Sequence, residues 1–464
     1  MDRLVKGFGV RVPVRATLWY MASTAIGKGV GILATAVFTR IMSGEEYGAY
    51  TVYMSWLGIA VTVSSAAASA SAVYKCIGES PERREDLLAT FTAAYVMLSF
   101  GVWVAMSIAG LGGGMSVFVL LQCIADGTVA IYLTEKKHTY SYKAVAMIGI
   151  SEAIVSPVIA YFLITGWGLG YLGRVIGYLV LPLTLAVVIA ARRWVRGARP
   201  FDLGIWKRVA PTTLALLPYS IATAVSTQAD KLIVSAKLGR AGVAAYSVVH
   251  TVGSARVFLT AAVGSALYPW ISRKLRGGDY TEIGRILSAL TTLYAVVAIY
   301  TVDAAPELIS LLAPDEYAVA LSAIVPLAVT ALPSFLTGCI TVVLMDEGGA
   351  TTVSVASVAS ALTSIALNML LIPRIGYMGA ALSSLLSSCV MLSVMLRGIK
   401  RKGVKDALSL GKFIAVFLLT LLYSALLYAL YPYPVLRILL LIPPTLYAVR
   451  DGVSVYRMLL EKNT

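Results

Sequence analysis

Long apolar runs separated by short polar turns follow one another along almost the whole chain. A helix crosses the ~30 Å hydrocarbon layer of a bilayer with ~20 apolar residues, and most of the runs are close to that length. The pattern predicts spans at 16–38, 49–73, 87–110, 115–134, 144–165, 174–191, 211–236, 244–270, 286–303, 318–345, 350–372, 379–396, 413–431 and 435–449. We therefore expect an all-α polytopic membrane protein with about 14 transmembrane helices.

The first six predicted spans and the next six indicate a parallel repeat. The turn at 40–50 corresponds loosely to residues 236–246, and both turns contain glycine. Because six is an even number, the two halves share one orientation. We expect two six-helix bundles, related by pseudo-two-fold symmetry around a central cavity, and two extra C-terminal helices. The predicted divisions are an N-terminal six-helix bundle (1–191), a cytoplasmic linker (192–210), a C-terminal six-helix bundle (211–396), and a basic cytoplasmic loop with helices 13 and 14 and a cytoplasmic tail (397–464).

Composition supports the membrane assignment, and the distribution of charge indicates the orientation. Only 13% of the 464 residues are charged, whereas a soluble protein has about 25%, and the mean hydropathy is +0.83. If alternate loops share a side, most of the 38 Lys and Arg residues fall on the side of the two termini. That side is cytoplasmic by the positive-inside rule. The net charge of +15 thus reflects topology in the cytoplasmic (inner) membrane, and we expect no nucleic-acid partner.

No motif in the chain indicates a cofactor or a catalytic centre. The four cysteines, Cys76, Cys123, Cys339 and Cys389, have neither metal-ligand spacing nor the pattern of a disulfide framework. No P-loop and no nucleophile–base pair is evident, and no segment outside the predicted spans is large enough for a catalytic domain. The run at 16–38 is too long for a signal peptide, so we expect it to remain as a span. These features predict a non-enzyme with no cofactor and no metal site.

Basic residues at membrane depth are the first candidates for function. Lys28 lies near the centre of the first predicted span, Arg256 lies at similar depth in the eighth, and Lys231 lies toward the outer end of the seventh. A charge at mid-depth costs roughly 3 kcal/mol or more unless it faces protein, water or a counter-charge. One interpretation is that these cations snorkel or pair structurally. The other is that they line an internal cavity that receives an anionic group.

Acidic residues in the spans form the second group of candidates. Asp126 in the fourth span and Glu152 in the fifth lie at similar depths, so they are able to face one cavity. Asp230 precedes Lys231 in the seventh span, and adjacent residues do not share a helix face. Each acid is either a packing residue paired with Tyr or Ser, or a site for a coupling ion or proton.

Four segments carry a pattern that points to a family. They read TRIM at 39–42 with GEEYGAY at 44–50, ADKLIV at 229–234 with LG at 238–239, LLAPDEY at 311–317, and LNMLLIPRIGYMGAA at 367–381. The chain resembles the oligosaccharide flippases of the O-antigen type. This polysaccharide transporter family belongs to the multidrug/oligosaccharidyl-lipid/polysaccharide exporter superfamily. In the last segment, proline ends one helix and small residues let the next helix pack closely.

The resemblance implies a flippase that moves a polyprenyl-diphosphate-linked oligosaccharide from the inner to the outer leaflet by alternating access. The expected substrate-binding residues are Lys28, Arg256, Arg40 and Lys231, and the expected coupling-ion or proton residues are Asp126, Glu152 and Asp230. In lipid II flippases the cavity cations come from the first, second and eighth spans, but the second span of this chain has none at 64–70. The implied partners are the lipid-linked oligosaccharide, membrane lipids, and a polysaccharide polymerase or glycosyltransferases.

Two other function classes compete with this interpretation. In a cation-coupled multidrug or toxin extruder of the same superfamily, the acids would dominate the cavity, and Lys28 and Arg256 would be a handicap. A membrane polysaccharide polymerase or ligase needs a sizeable outer loop with catalytic groups, and the predicted outer loops are too short.

Overall fold

The fold was analysed in a computed structural model, which describes residues 11–461 apart from 69, 80, 140, 200, 201, 279 and 401. Eleven helical segments in this part of the chain are long and apolar enough to cross a membrane. This confirms the predicted all-α polytopic membrane fold. Contacts divide the chain into two compact units, Met1–Gln228 (unit 1) and Ala229–Thr464 (unit 2). The four predicted domain divisions stay predictions.

Unit 1 consists of helices joined by short turns. Its helices are α1 (Arg11–Ile41), α2 (Gly44–Ser64), α3 (Ala70–Glu79), α4 (Arg84–Ile108), α5 (Ser116–His138), α6 (Tyr142–Thr165), α7 (Gly170–Val195) and the first half of α8 (Leu203–Gly253). Short 3-10 turns lie at Ser65–Ala68, Pro81–Arg83 and Gly113–Met115. Helix α7 packs against α5 and α6, and α1 packs against α6.

The turn between α1 and α2 is built by a capping box. The N–H of Glu46 donates to Ser43 Oγ (3.2 Å), and the N–H of Ser43 donates to Glu46 Oε2 (3.0 Å). Each side chain thus satisfies a backbone donor that the start of a helix leaves unpaired. This explains why a Ser-Gly-Glu-Glu sequence ends one apolar run and begins the next.

Small residues allow the close approach of α6 and α7. A Cβ atom added at Gly177 would lie 2.5 Å from the Cα of Ala160, so only glycine fits at this contact. The core of unit 1 is formed by aromatic and aliphatic side chains of α2, α4 and α5, among them Tyr53, Phe91 and Tyr95. This core fixes α2 and α5, which carry several of the polar residues described below.

Unit 2 continues the helical pattern with more interruptions. Its helices are the second half of α8, α9 (Arg256–Gly277), α10 (Tyr280–Asp303), α11 (Ala305–Leu312), α12 (Ile324–Val329), α13 (Ala331–Asp346), α14 (Ala350–Gly398), α15 (Lys402–Ala407), α16 (Leu410–Ala429), α17 (Pro434–Leu439) and α18 (Ile442–Glu461), with a 3-10 segment at Asp315–Ala323. Helix α10 packs against α13, α16 and α18.

Two long helices each contain a predicted turn between spans. In α8 the backbone leaves helical geometry at Gly239, with φ 78° and ψ 178°, a conformation that favours glycine. In α14 the turn lies at Ile375 and Gly376, slightly after Pro373. A Cβ atom at Gly379 would lie 2.6 Å from the carbonyl oxygen of Leu371. The close packing predicted for the small residues after this turn is therefore confirmed.

The last predicted span, 435–449, is divided between α17 and α18, and neither helix is among the candidate spans. Too many charged residues lie in α18 for an apolar window of sufficient length, since Arg450 and Asp451 are adjacent at its middle. Arg437 in α17 is buried and lies 3.0 Å from Asp303 Oδ1, and it also pairs with Glu307. These ion pairs attach the C-terminal helices to α10 and α11.

Candidate functional site

Two of the predicted substrate-binding cations, Lys231 in α8 and Arg256 in α9, lie in unit 2. His250 in α8 lies close enough to each of them for their charges to act on its ring. Among the described residues, none of the three has a carboxylate partner within ion-pair distance. We call Lys231, His250 and Arg256 the cationic cluster. His250 was not predicted as a functional residue, because in the sequence it is a single histidine without neighbouring metal ligands.

A break in the eighth predicted span places Arg256 in this cluster. Helix α8 ends at Gly253, the N–H of Ser254 donates to the carbonyl of His250 (2.9 Å), and the helix restarts at Arg256. The predicted span 244–270 is therefore divided between α8 and α9. A Cβ atom at Gly253 would lie 2.8 Å from Leu327 Cβ, so packing against α12 requires glycine at the end of α8.

Arg256 is the first residue of α9. The turn before it is closed by backbone hydrogen bonds, since the N–H of Ala255 donates to the carbonyl of Val252 (3.0 Å) and the N–H of Val257 donates to that of Ser254 (2.9 Å). The side chain of Arg256 donates no hydrogen bond to a described residue, and it is only partly exposed. A guanidinium group in this state favours the binding of an anionic group.

Asp230 has a different environment from the neighbouring Lys231. Its carboxylate is buried, with Oδ2 accepting the hydroxyl proton of Tyr246 (2.9 Å) and Oδ1 accepting the backbone N–H of Lys231 (2.7 Å). Tyr246 is itself fully buried. Asp230 is therefore enclosed by its own hydrogen bonds, and its role as a coupling residue stays a prediction.

The predicted acids Asp126 and Glu152 lie in unit 1, on α5 and α6. The charge of Glu152 acts on Asp126, which also lies beside the side chain of Gln122, and both acids are half-buried. Gln122 is held in place because its Oε1 accepts the hydroxyl proton of Tyr53 (2.9 Å). Like charges repel, so a cation or a proton bound at this pair would be stabilised.

The remaining predicted cations, Lys28 and Arg40, are on α1. Lys28 lies within the candidate span Ala22–Ile41, is exposed, and has no hydrogen-bond or ion-pair partner among the described residues. Arg40 is also exposed, and its Nη1 donates to the carbonyl of Ala36 (2.8 Å). With a rise of 1.5 Å per residue, the two positions are about 18 Å apart along the helix, so they do not form one site.

Sequence reasoning missed Arg174, which the span prediction placed at the outer end of the sixth span. Its guanidinium carbon lies 3.8 Å from the ring centre of Tyr50, 4.4 Å from that of Phe38 and 4.7 Å from that of Tyr47. Arg174 is 5% exposed, and its Nε and Nη1 have no hydrogen-bond partner. The aromatic residues of the family-like segment thus enclose a cation by cation–π contacts. No local pattern links residues 38–50 to position 174.

The described residues contain no group of three His, Cys, Asp or Glu side chains arranged to hold a metal ion. The prediction of no metal and no cofactor stays a prediction.

Comparison with known proteins gives a family for the chain and shows which solved structures share its fold. A family profile described as polysaccharide biosynthesis protein matches residues 14–274. Comparison with curated proteins found no match. The fold is similar to that of the lipid II flippase MurJ in an inward closed conformation, with a TM-score of 0.65 and 13% identity over 96% of this chain and 100% of MurJ.

Two further solved structures share the fold. A mutant of the Vibrio cholerae MATE transporter VcmN has a TM-score of 0.58 and 12% identity, over 84% of this chain and 96% of VcmN. A MOP superfamily transporter from Pyrococcus furiosus, described as having a binding pocket of reverse polarity, has a TM-score of 0.51 and 13% identity. This match covers 90% of this chain and 96% of that protein.

Proposed function

Because the chain belongs to the polysaccharide biosynthesis protein family, we propose that it is a flippase for a polyprenyl-diphosphate-linked oligosaccharide. It moves this substrate from the inner to the outer leaflet by alternating access, for the biosynthesis of cell-surface polysaccharide. The multi-pass helical fold and its likeness to a lipid II flippase over the whole chain support a transporter rather than an enzyme.

The observation that carries the proposal is the cationic cluster beside a broken helix. A diphosphate carries negative charge, and its passage through the hydrocarbon layer requires compensation. Lys231 and Arg256 offer charge-assisted hydrogen bonds to phosphate oxygens.

In unit 1, the proposed substrate contacts are Lys28 and Arg40. Lys28 has no partner among the described residues, so in a membrane its ammonium group requires water or an anion. We propose that Lys28 contacts the diphosphate during passage and that Arg40 contacts it near the end of α1. The second helix offers no cation at 64–68 to supplement them.

The energy for transport is proposed to come from the membrane potential, or from a cation or proton bound at Asp126 and Glu152. One charge that moves through 100 mV contributes about 2.3 kcal/mol. Asp230 is the third candidate, but its carboxylate is already held by Tyr246.

We propose the cytoplasmic (inner) membrane as the location, with both termini cytoplasmic, because most basic residues would then lie on the cytoplasmic side. A polysaccharide polymerase or glycosyltransferases are the proposed partners, since they would consume or produce the lipid-linked glycan.

Substitution of the two mid-span cations tests the proposal. Lys28→Ala and Arg256→Ala should each abolish glycan export in cells while the amount of protein in the membrane stays unchanged. Lys237→Ala is a matched control, because Lys237 is an exposed lysine near the outer end of the seventh predicted span and has no ion-pair partner in the described part of the chain. Full export by the double variant Lys28→Ala/Arg256→Ala would contradict the assignment.

A multidrug or toxin extruder is the second candidate function, because the fold also resembles MATE transporters. The cationic cluster disfavours cationic drugs, since it has no neutralising carboxylate at ion-pair distance in the described part of the chain. The extruder would be favoured if the wild-type protein conferred drug resistance, and if Asp126→Asn abolished this resistance while Arg256→Ala did not.

A further inference from the structure

One end of unit 1 contains a cavity of about 280 Å³ between α4, α5, α6 and α7. Four basic side chains line it, Lys136, Arg192, Arg193 and Arg196, against the two carboxylates Glu85 and Glu135. All six lie near helix ends, α5 ending at His138 and α7 at Val195. The cavity is thus a basic pocket at one edge of the helical bundle.

The carboxylates are already occupied, which leaves positive charge in the cavity. Arg196 Nη1 lies 2.7 Å from Glu85 Oε1. Glu135 is paired with Arg84, which does not line the cavity. Glu135 Oε1 also lies 3.5 Å from Lys136 Nζ. The described residues offer Arg192 no side-chain hydrogen-bond or ion-pair partner.

Arg193 lines the cavity and is held in place from behind. The residue is 7% exposed, and its Nη1 donates to Thr92 Oγ1 (2.6 Å). Its Nη2 is buried, makes no hydrogen bond and lies 3.9 Å from Glu135 Oε2, an ion pair longer than a hydrogen bond. The fixed guanidinium charge of Arg193 thus adds to the positive potential of the cavity.

The other wall of the cavity is apolar. It is formed by Ile148, Leu185, Val188 and Ile189, and Val188 is 48% exposed. Trp194, 82% exposed, follows directly after Arg193. Tryptophan is enriched at the level of lipid headgroups, so an exposed Trp194 beside the cavity favours a position of the basic end near lipid phosphates.

We propose that this cavity binds an anionic phospholipid of the inner leaflet, with its phosphate at Arg192 and Arg193 and an acyl chain along Ile148, Leu185 and Val188. The site is separate from the proposed transport residues, but its assignment to the inner leaflet rests on the proposed orientation. A phosphate-bearing anion satisfies the basic end whether it is a lipid or free phosphate. The apolar wall favours the lipid, because free phosphate would leave it uncovered.

Native mass spectrometry of the full-length protein in neutral detergent tests the proposal. Wild-type protein should retain phosphatidylglycerol in preference to phosphatidylcholine of the same acyl composition. Because each basic residue contributes separately to anionic-lipid binding, Arg192→Gln should lower the bound phosphatidylglycerol about fivefold. Arg397→Gln is the matched control, since Arg397 is an exposed arginine in the last turn of α14, outside the cavity. It should leave binding unchanged.

Three results would overturn the proposal. The first is equal retention of the two lipids by the wild-type protein. The second is an equal loss in Arg192→Gln and Arg397→Gln, which would show a general charge effect. The third is displacement of phosphatidylglycerol by an equimolar concentration of inorganic phosphate, which would identify free phosphate as the occupant.

Discussion

In unit 1 a buried guanidinium, that of Arg174, lies against Phe38, Tyr47 and Tyr50, while the acids Asp126 and Glu152 are half-buried. In unit 2 the carboxylate of Asp230 is buried and is held by Tyr246, while the cationic cluster has no carboxylate at ion-pair distance among the described residues. Arg174 and Asp230 are thus enclosed charges of opposite sign, one in each unit.

A tyrosine in each unit acts on the enclosed charge in a different way. The sequence comparison of 40–50 with 236–246 aligns Tyr50 with Tyr246. Tyr50 contacts Arg174 through its ring, 3.8 Å from the guanidinium carbon, whereas Tyr246 donates its hydroxyl proton to Asp230. An aromatic ring stabilises a cation and a hydroxyl group stabilises an anion. A tyrosine at matching positions thus stabilises a cation in unit 1 and an anion in unit 2.

The largest expected difference between the units concerns energy coupling. If Asp126 binds the coupling ion, Asp126→Asn should abolish the dependence of transport on an imposed gradient. For one coupled charge at 100 mV, this dependence amounts to a factor of about 50 in transport. Asp230→Asn should keep this dependence, because Tyr246 already occupies that carboxylate. Translocation of a labelled lipid-linked oligosaccharide in proteoliposomes measures both. If only Asp230→Asn lost the gradient dependence, the coupling residue would be Asp230 in unit 2 and not Asp126 in unit 1.

The largest expected effect on stability concerns the enclosed cation of unit 1. Arg174→Ala should lower the free energy of unfolding by about 3 kcal/mol, because it removes buried cation–π contacts and leaves a cavity. Unfolding in mixed detergent micelles measures this change. Lys137→Ala is the control, since Lys137 is an exposed cation of the same unit. Equal stability of the two variants would show that the aromatic enclosure of Arg174 contributes nothing.

The enclosed acid of unit 2 gives a smaller expected effect. Tyr246→Phe should lower the free energy of unfolding by about 2 kcal/mol, since the buried carboxyl of Asp230 loses a hydrogen bond. Tyr50→Phe should cost less, because the ring over Arg174 is retained. A double-mutant cycle with Asp230→Ala isolates the Tyr246–Asp230 interaction, and a coupling energy near zero would contradict the assigned hydrogen bond.

The smallest expected effect concerns an acid outside the spans. Asp202 Oδ1 accepts the N–H groups of Ile205 (3.1 Å) and Gly204 (2.8 Å), and Oδ2 pairs with Arg83. These contacts, first the hydrogen bond from Ile205, hold the pKa of Asp202 below its usual range. Because the pKa is lower in the folded state, the carboxylate stabilises the start of α8 above about pH 4. This stabilisation is lost as the pH falls through the folded-state pKa.

Hydrogen exchange at the amides of Gly204 and Ile205 measures this effect. After correction for intrinsic exchange rates, protection in the wild-type protein should decrease on acidification. In Asp202→Asn, protection should be lower and independent of pH in the same range. Equal protection in the two proteins would show that this acid, unlike the two enclosed charges, has no measurable structural role.

Local sequence features determined the helical architecture. The apolar runs predicted the spans, and the Ser-Gly-Glu-Glu and Gly-x-x-Gly-Ala-Ala segments marked turns that the structure contains. The span and turn predictions succeeded because hydropathy and capping depend on residues close in sequence. The pairing of Asp126 with Glu152 in one cavity stays a prediction.

Only the tertiary structure decided which charges are enclosed and where the eighth span breaks. The break after Gly253 depends on close packing against Leu327, and the burial of Arg174 depends on rings from residues 38–50. Each of these contacts joins residues that are far apart in sequence, so no local periodicity predicts it. At membrane depth, such contacts determine whether a charged side chain is held by other side chains or is available to a substrate.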